Sequence, residues 1–164
     1  MRDNDWLSDQ LEQVWQRYFK DIPKLNDIEA TFGCKAKRRL GSIRQINPRD
    51  KSSGTKITLT SYFKDPVVPE YIIEITLAHE ICHYAHGFAS PLQKYFKYPH
   101  HGRIVDRELI KRGLGDKIIA QKKWLKVEWP KIIGESGVVH VRRRRVNPRT
   151  NNIKKLIRMF GLFS

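Results

Sequence analysis

The feature that most constrains this chain is the segment PVVPEYIIEITLAHEICHYAHG, residues 66–87, an apolar run bracketed by Pro66 and Pro69 at one end and Gly87 at the other. Proline suits the first turn of a helix and glycine its C-terminal stop, so the segment reads as a helix buried on most of its surface. Such a helix has to be covered by other elements.

The flanking sequence supplies the cover. From Asp5 to Phe19 the apolar positions Leu7, Leu11, Val14, Trp15, Tyr18 and Phe19 recur at helical spacing and Pro23 marks the exit, which predicts an amphipathic helix with its aromatic residues in the core. KRRLGSIRQI (37–46) and TKITLTSYF (55–63) are rich in strand-forming residues, and the turn formers NPRDKSSG lie between them. This predicts a hairpin with a longish loop. In its second strand Ile57, Leu59 and Phe63 alternate with Thr58, Thr60 and Tyr62, as expected where one face is buried.

After an irregular aromatic stretch, Phe88 to Pro99, a further helix is expected from Gly102 to Arg112. AQKKWLKVEWPK (120–131) fits helix or strand equally. The expected fold class is α+β: a small antiparallel sheet beside the buried helix, with the N-terminal helix and the Gly102–Arg112 helix packed around it.

HEICH, residues 79–83, gives that helix its chemistry. Residues i and i+4 lie one turn apart on the same face, so His79 and His83 can reach one zinc ion, and Glu80 is placed to act as general base toward a metal-activated water. A catalytic site needs a third protein ligand and leaves the fourth position open. His86 lies about 10 Å along the helix axis from His79, too far to share an ion, and reads as a capping or core residue. His100, His101 and Glu108 remain. His101 precedes Gly102, whose missing Cβ lets the backbone approach the metal helix, so the local argument favours His101 over His100. Glu108 reads more naturally as a solvated helix carboxylate. The expected cofactor is one Zn2+.

Tyr84, Tyr95, Tyr98 and Arg103 are candidates to stabilise a developing oxyanion. Cys82 falls between the histidines but on the other side of the helix, a small filler rather than a nucleophile.

These motifs resemble the SprT-like (Spartan-type) metallopeptidases over about residues 5–115: TLAHEICHYAHG, then HGRIVDREL with Val105 and Leu109 at apolar positions, preceded by a hairpin and by RLG at Arg39–Gly41. The resemblance implies a zincin-like fold, His79, His83 and His101 as zinc ligands, Glu80 as catalytic base, and a protein or peptide substrate, with DNA as an associated partner. Two departures stand out. Val105 replaces the phenylalanine usual after the family's HG, and the C-terminal zinc ribbon of many relatives is missing, since the two cysteines, Cys34 and Cys82, form no CxxC pair.

Length and charge complete the reading. At 164 residues the chain fits a metallopeptidase domain over 1–133 and a basic appendage over 134–164. Lys and Arg number 32 against 17 Asp and Glu, a net charge of +15 that draws polyanions, and Arg142, Arg143, Arg144 and Arg145 are the candidate phosphate contacts. The plainer alternative is general solubility. Ile153, Leu156, Ile157 and Phe160 recur at helical spacing, which suits docking on the core or covering the cleft. The polar start is unlike a secretory signal and no run reaches the roughly 18 apolar residues of a membrane span, so a cytoplasmic location is expected. The rival function is a DNA-binding module on a zincin scaffold with little proteolysis; the intact Glu80 argues against it, because a structural zinc needs no base. A zinc hydrolase acting on a non-peptide amide is the second rival.

Overall fold

The computed structural model describes residues 1–50 and 52–134, the side chain of His101 excepted. The appendage, with Arg142 to Arg145, lies outside the described residues.

Helix α1 spans Asn4–Tyr18. Asp3 caps it by accepting the Trp6 N–H at 2.9 Å, and Leu7, Leu11, Val14 and Trp15 form its buried stripe, as the periodicity predicts. The Arg2 guanidinium donates to the carbonyls of Phe63, Asp65 and Val68, tying the chain start to the turn that leads into the central helix.

Strands β1 (Ile28–Phe32), β2 (Gly41–Gln45) and β3 (Thr55–Leu59) form one sheet in the order β1-β3-β2. β2 and β3 are the expected antiparallel hairpin, with Ile43 opposite Ile57. The sheet is nevertheless mixed rather than antiparallel, because β1 pairs parallel to β3. After β1 the chain crosses the end of β3 through residues 33–40 before entering β2, so β3 takes the centre. Gly33 permits the crossing: its N–H donates to the Leu59 carbonyl at 2.8 Å, and a Cβ there would lie 2.6 Å from Thr58 Cγ2. The second strand ends earlier than its alternation suggests, since Phe63 sits in a 3-10 turn over Ser61–Lys64 that still buries it.

The central helix α2, Glu70–Ala85, buries 12 of its 16 residues, so it has no solvent face of any width. It packs against α1, β2 and β3, and against helices α3 (Ile104–Lys111) and α4 (Gly115–Val127). The ambiguous segment 120–131 resolves into the end of α4 and the short helix α5, Trp129–Ile132. Trp124 and Trp129 bury there, and Trp129 Nε1 donates to the Lys37 carbonyl at 2.9 Å, fixing the crossing loop. Each fully buried aliphatic or aromatic side chain of this core contributes about 1.5–3 kcal/mol. Among the described residues no helix is long and apolar enough to cross a membrane.

Candidate metal centre

The last turns of α2 carry His79, Glu80 and His83, and the chain that follows bends back over them. Gly87 makes the bend with φ of +77° in a place where a Cβ would strike the Gln93 backbone. The returning loop is pinned along its length: the Phe88 N–H donates to the His83 carbonyl at 2.9 Å, Ser90 Oγ to the Tyr84 carbonyl at 2.7 Å, and Thr55 Oγ1 to the Ala89 carbonyl at 2.7 Å. Phe96 packs its ring edge-on against His86, 5.1 Å between centroids. This path delivers His100.

Ring centroids of His79 and His83 lie 4.8 Å apart, His83 and His100 4.7 Å, and His79 and His100 5.4 Å. One nitrogen from each ring lies within 4.8 Å of the other two. Among the described side chains the third ring beside the pair is that of His100; the side chain of His101, which the sequence argument favoured, lies outside those described. The backbone then makes a 3-10 turn over residues 101–103, with Gly102 and Arg103 both in the left-handed region at φ of 58°.

The donor set suits a metal ion. Burial first, then the neighbouring His100, lowers the His79 pKa to about 4, and burial followed by the His79 and His100 rings lowers His83 to about 3. Both imidazoles are thus neutral at physiological pH, with a lone pair free to bind. The buried Nδ1 atoms of His83 and of His86, the latter outside the cluster, have no hydrogen-bond partner among the described residues. Imidazole donors fit Zn, Cu, Fe and Ni. His79, His83 and His100 are the residues that would hold such an ion.

Glu80 is 5% exposed and lies beneath the first residue of β2: a Cβ on Gly41 would come within 2.6 Å of its Oε1. Burial raises its pKa to about 7, opposed by the positive charge of Arg39. A cleft of about 430 Å3 opens over His79, Glu80, His83 and His100, walled by Ile43, Phe88 and Pro99. A second lobe of about 290 Å3 continues past Glu80 between Arg38, Arg39, Thr76 and Gln121.

Compared with profiles of known families, with characterised proteins and with solved structures, the chain matches none.

The remaining candidates divide as follows. His86 is buried at the end of α2 and outside the cluster. Glu108 accepts from Arg112 Nε at 2.8 Å, a structural pair that keeps it away from the histidines. Cys82 is fully buried, and burial pushes its thiol pKa up, so it is not a nucleophile. The Tyr84 hydroxyl is committed elsewhere, donating to Asn26 Oδ1 and accepting the Leu25 N–H. Tyr95 and Tyr98 are exposed and Arg103 pairs with Asp106; none of these four lines either lobe. Arg39 lines both, and sequence reasoning missed it, because a basic residue in a basic chain carries no signal of its own.

Proposed function

We propose that this chain is a zinc-dependent metallopeptidase of the SprT-like kind, with His79, His83 and His100 holding one zinc ion and Glu80 as general base. The observation that carries the reading is the convergence of three imidazoles on one point, with a buried carboxylate beside them at the floor of an open cleft. Zinc, when bound, acidifies water and polarises a carbonyl, which is what peptide hydrolysis at neutral pH requires.

The protein's own residues do the rest. Glu80 takes the proton of the attacking water and returns it to the departing amine, so one carboxyl serves both half-steps, and a pKa near neutrality suits a group that must do both. β2 is an edge strand whose residues Gly41, Ser42 and Ile43 border the cleft, so an extended peptide can add to the sheet there and be drawn past Glu80. Gly41 at this point leaves room for the carboxylate.

The net charge of +15 supports a DNA-associated protein as substrate, with DNA contacts on the protein's basic residues. A DNA-binding module without proteolysis would give Glu80 no task, and the burial of an unpaired carboxylate beside a metal site weighs against it.

The test is hydrolysis of casein by the zinc-loaded protein, with and without single-stranded DNA. Cleavage by wild type, none by Glu80→Gln at equal zinc content, is the expected result. DNA binding with no cleavage by either would leave the DNA-binding module as the reading.

A further inference from the structure

The two lobes of the cleft differ in chemistry. The lobe over the histidines has mostly apolar walls, Ile43, Phe88, Ala89 and Pro99, with Arg39 at the border it shares with the second lobe. The lobe beyond Glu80 is lined by two exposed arginines, Arg38 and Arg39, and by the neutral polar residues Thr76 and Gln121. Gln121 donates to Thr76 Oγ1 at 3.2 Å, so that wall is organised within itself and contributes no charge. Glu80 is the only carboxylate in either lining, and neither arginine forms an ion pair among the described residues.

These arginines stand on a fixed support. The crossing loop that carries them is held by Gly33 N–H on the Leu59 carbonyl (2.8 Å), the Ala36 N–H on Thr60 Oγ1 (3.0 Å), the Thr60 N–H on the Leu40 carbonyl (2.9 Å) and Trp129 Nε1 on the Lys37 carbonyl (2.9 Å). A backbone bonded on both sides of the pair presents the charges at one place, so a ligand need not order the loop when it binds.

Resting on the peptidase reading, we infer that the Arg38–Arg39 lobe is a side-chain subsite for an acidic residue, Asp or Glu, within two residues of the scissile bond. A guanidinium matches a carboxylate with two parallel N–H···O bonds, and in a lobe whose two arginines are set against the single carboxylate of Glu80 a second carboxylate is the group that balances the charge. A lysine there meets the like charge of two arginines. The substrate class is therefore acidic peptide segments. The subsite sits at the Gly41 end of β2, so the same strand edge that aligns the backbone sets which side chain enters it.

The experiment uses the zinc-loaded full chain and fluorogenic peptides, acetylated and amidated to remove terminal charges, identical except for Glu, Gln or Lys at one of the two positions on either side of the cleaved bond. At one position Glu should exceed Lys by roughly tenfold in kcat/KM, the scale of a charge-assisted hydrogen bond gained. The order should level in Arg38→Gln/Arg39→Gln and reverse in Arg38→Glu/Arg39→Glu. Cleavage of the Gln peptides with the same rate for Glu and Lys everywhere would overturn the subsite and leave the peptidase standing. Absence of cleavage of every peptide would sink both. Competitive inhibition by an oligonucleotide that both double variants relieve, without a Glu preference, would assign the arginines to phosphate and overturn the proposal.

Discussion

Replacing Gly41 by alanine separates the proposed role of the Glu80 carboxylate from the fold that holds it. Gly41 has no positive φ, and alanine is favoured over glycine in a strand by about 0.5–1 kcal/mol, so the backbone gives no reason for glycine here. The added methyl would meet Glu80 Oε1 at 2.6 Å and Thr76 Cγ2 at 3.0 Å. To regain an ordinary contact of 3.4 Å the carboxylate must retreat by about 0.8 Å, and as the end of a flexible side chain it can do so without unfolding anything. Misplacement of a reacting group by about 1 Å can cost on the order of a hundredfold in rate. Gly41→Ala should therefore keep its zinc, unfold within about 1 kcal/mol of wild type in urea, and lose between tenfold and a hundredfold in kcat. Hydrolysis assays beside metal analysis and denaturation curves read all three. Full activity would refute the placement of Glu80 as the base; a large loss of stability would show that Gly41 serves packing instead.

Other outcomes follow from the same structure. Arg112 donates to Asp21, Glu108 and the Tyr18 carbonyl and lies over the Phe19 ring, so Arg112→Met should cost about 2 kcal/mol in urea unfolding, whereas Asp21→Asn, at an exposed partner, should cost well under 1 kcal/mol; equal losses would contradict this division. In the chelator-treated protein His79 and His83 titrate far below 6.5 and Glu80 well above 4.5, so between these values unfolding takes up two protons and releases one. Stability of the metal-free chain should then rise with pH by about 1.4 kcal/mol per unit across that window, with His86, also lowered, adding in the same direction. Above 6.5 only Glu80 still differs, and the gain should stop and reverse slightly as the pH passes 7. A flat or falling profile from pH 5 to 6 would be incompatible with these burials.

The central helix was legible in the sequence, with its end within two residues and its start four residues late, because composition and stop agree: buried residues on most sides, prolines before and Gly87 after. The β2–β3 hairpin was legible for a similar reason, a run of turn formers between two β-branched stretches. β1 was not, since IEATF is five residues long and its strand character comes from parallel pairing with β3, a contact that no local pattern announces. At the histidine cluster, i and i+4 spacing brought His79 and His83 together, while the arrival of His100 depended on how residues 88–99 return across the helix end. That path is set by Gly87, Ser90 and Thr55, three residues whose roles appear only after the loop is folded.

Metal analysis of purified protein bears most directly on whether three imidazoles share one ion. The account predicts about one zinc per chain in wild type, loss of it in His79→Ala and in His100→Ala, and retention in His101→Ala. Zinc kept by His100→Ala and lost from His101→Ala would transfer the third ligand to the next residue, and a wild-type protein that binds no metal at all would contradict the account.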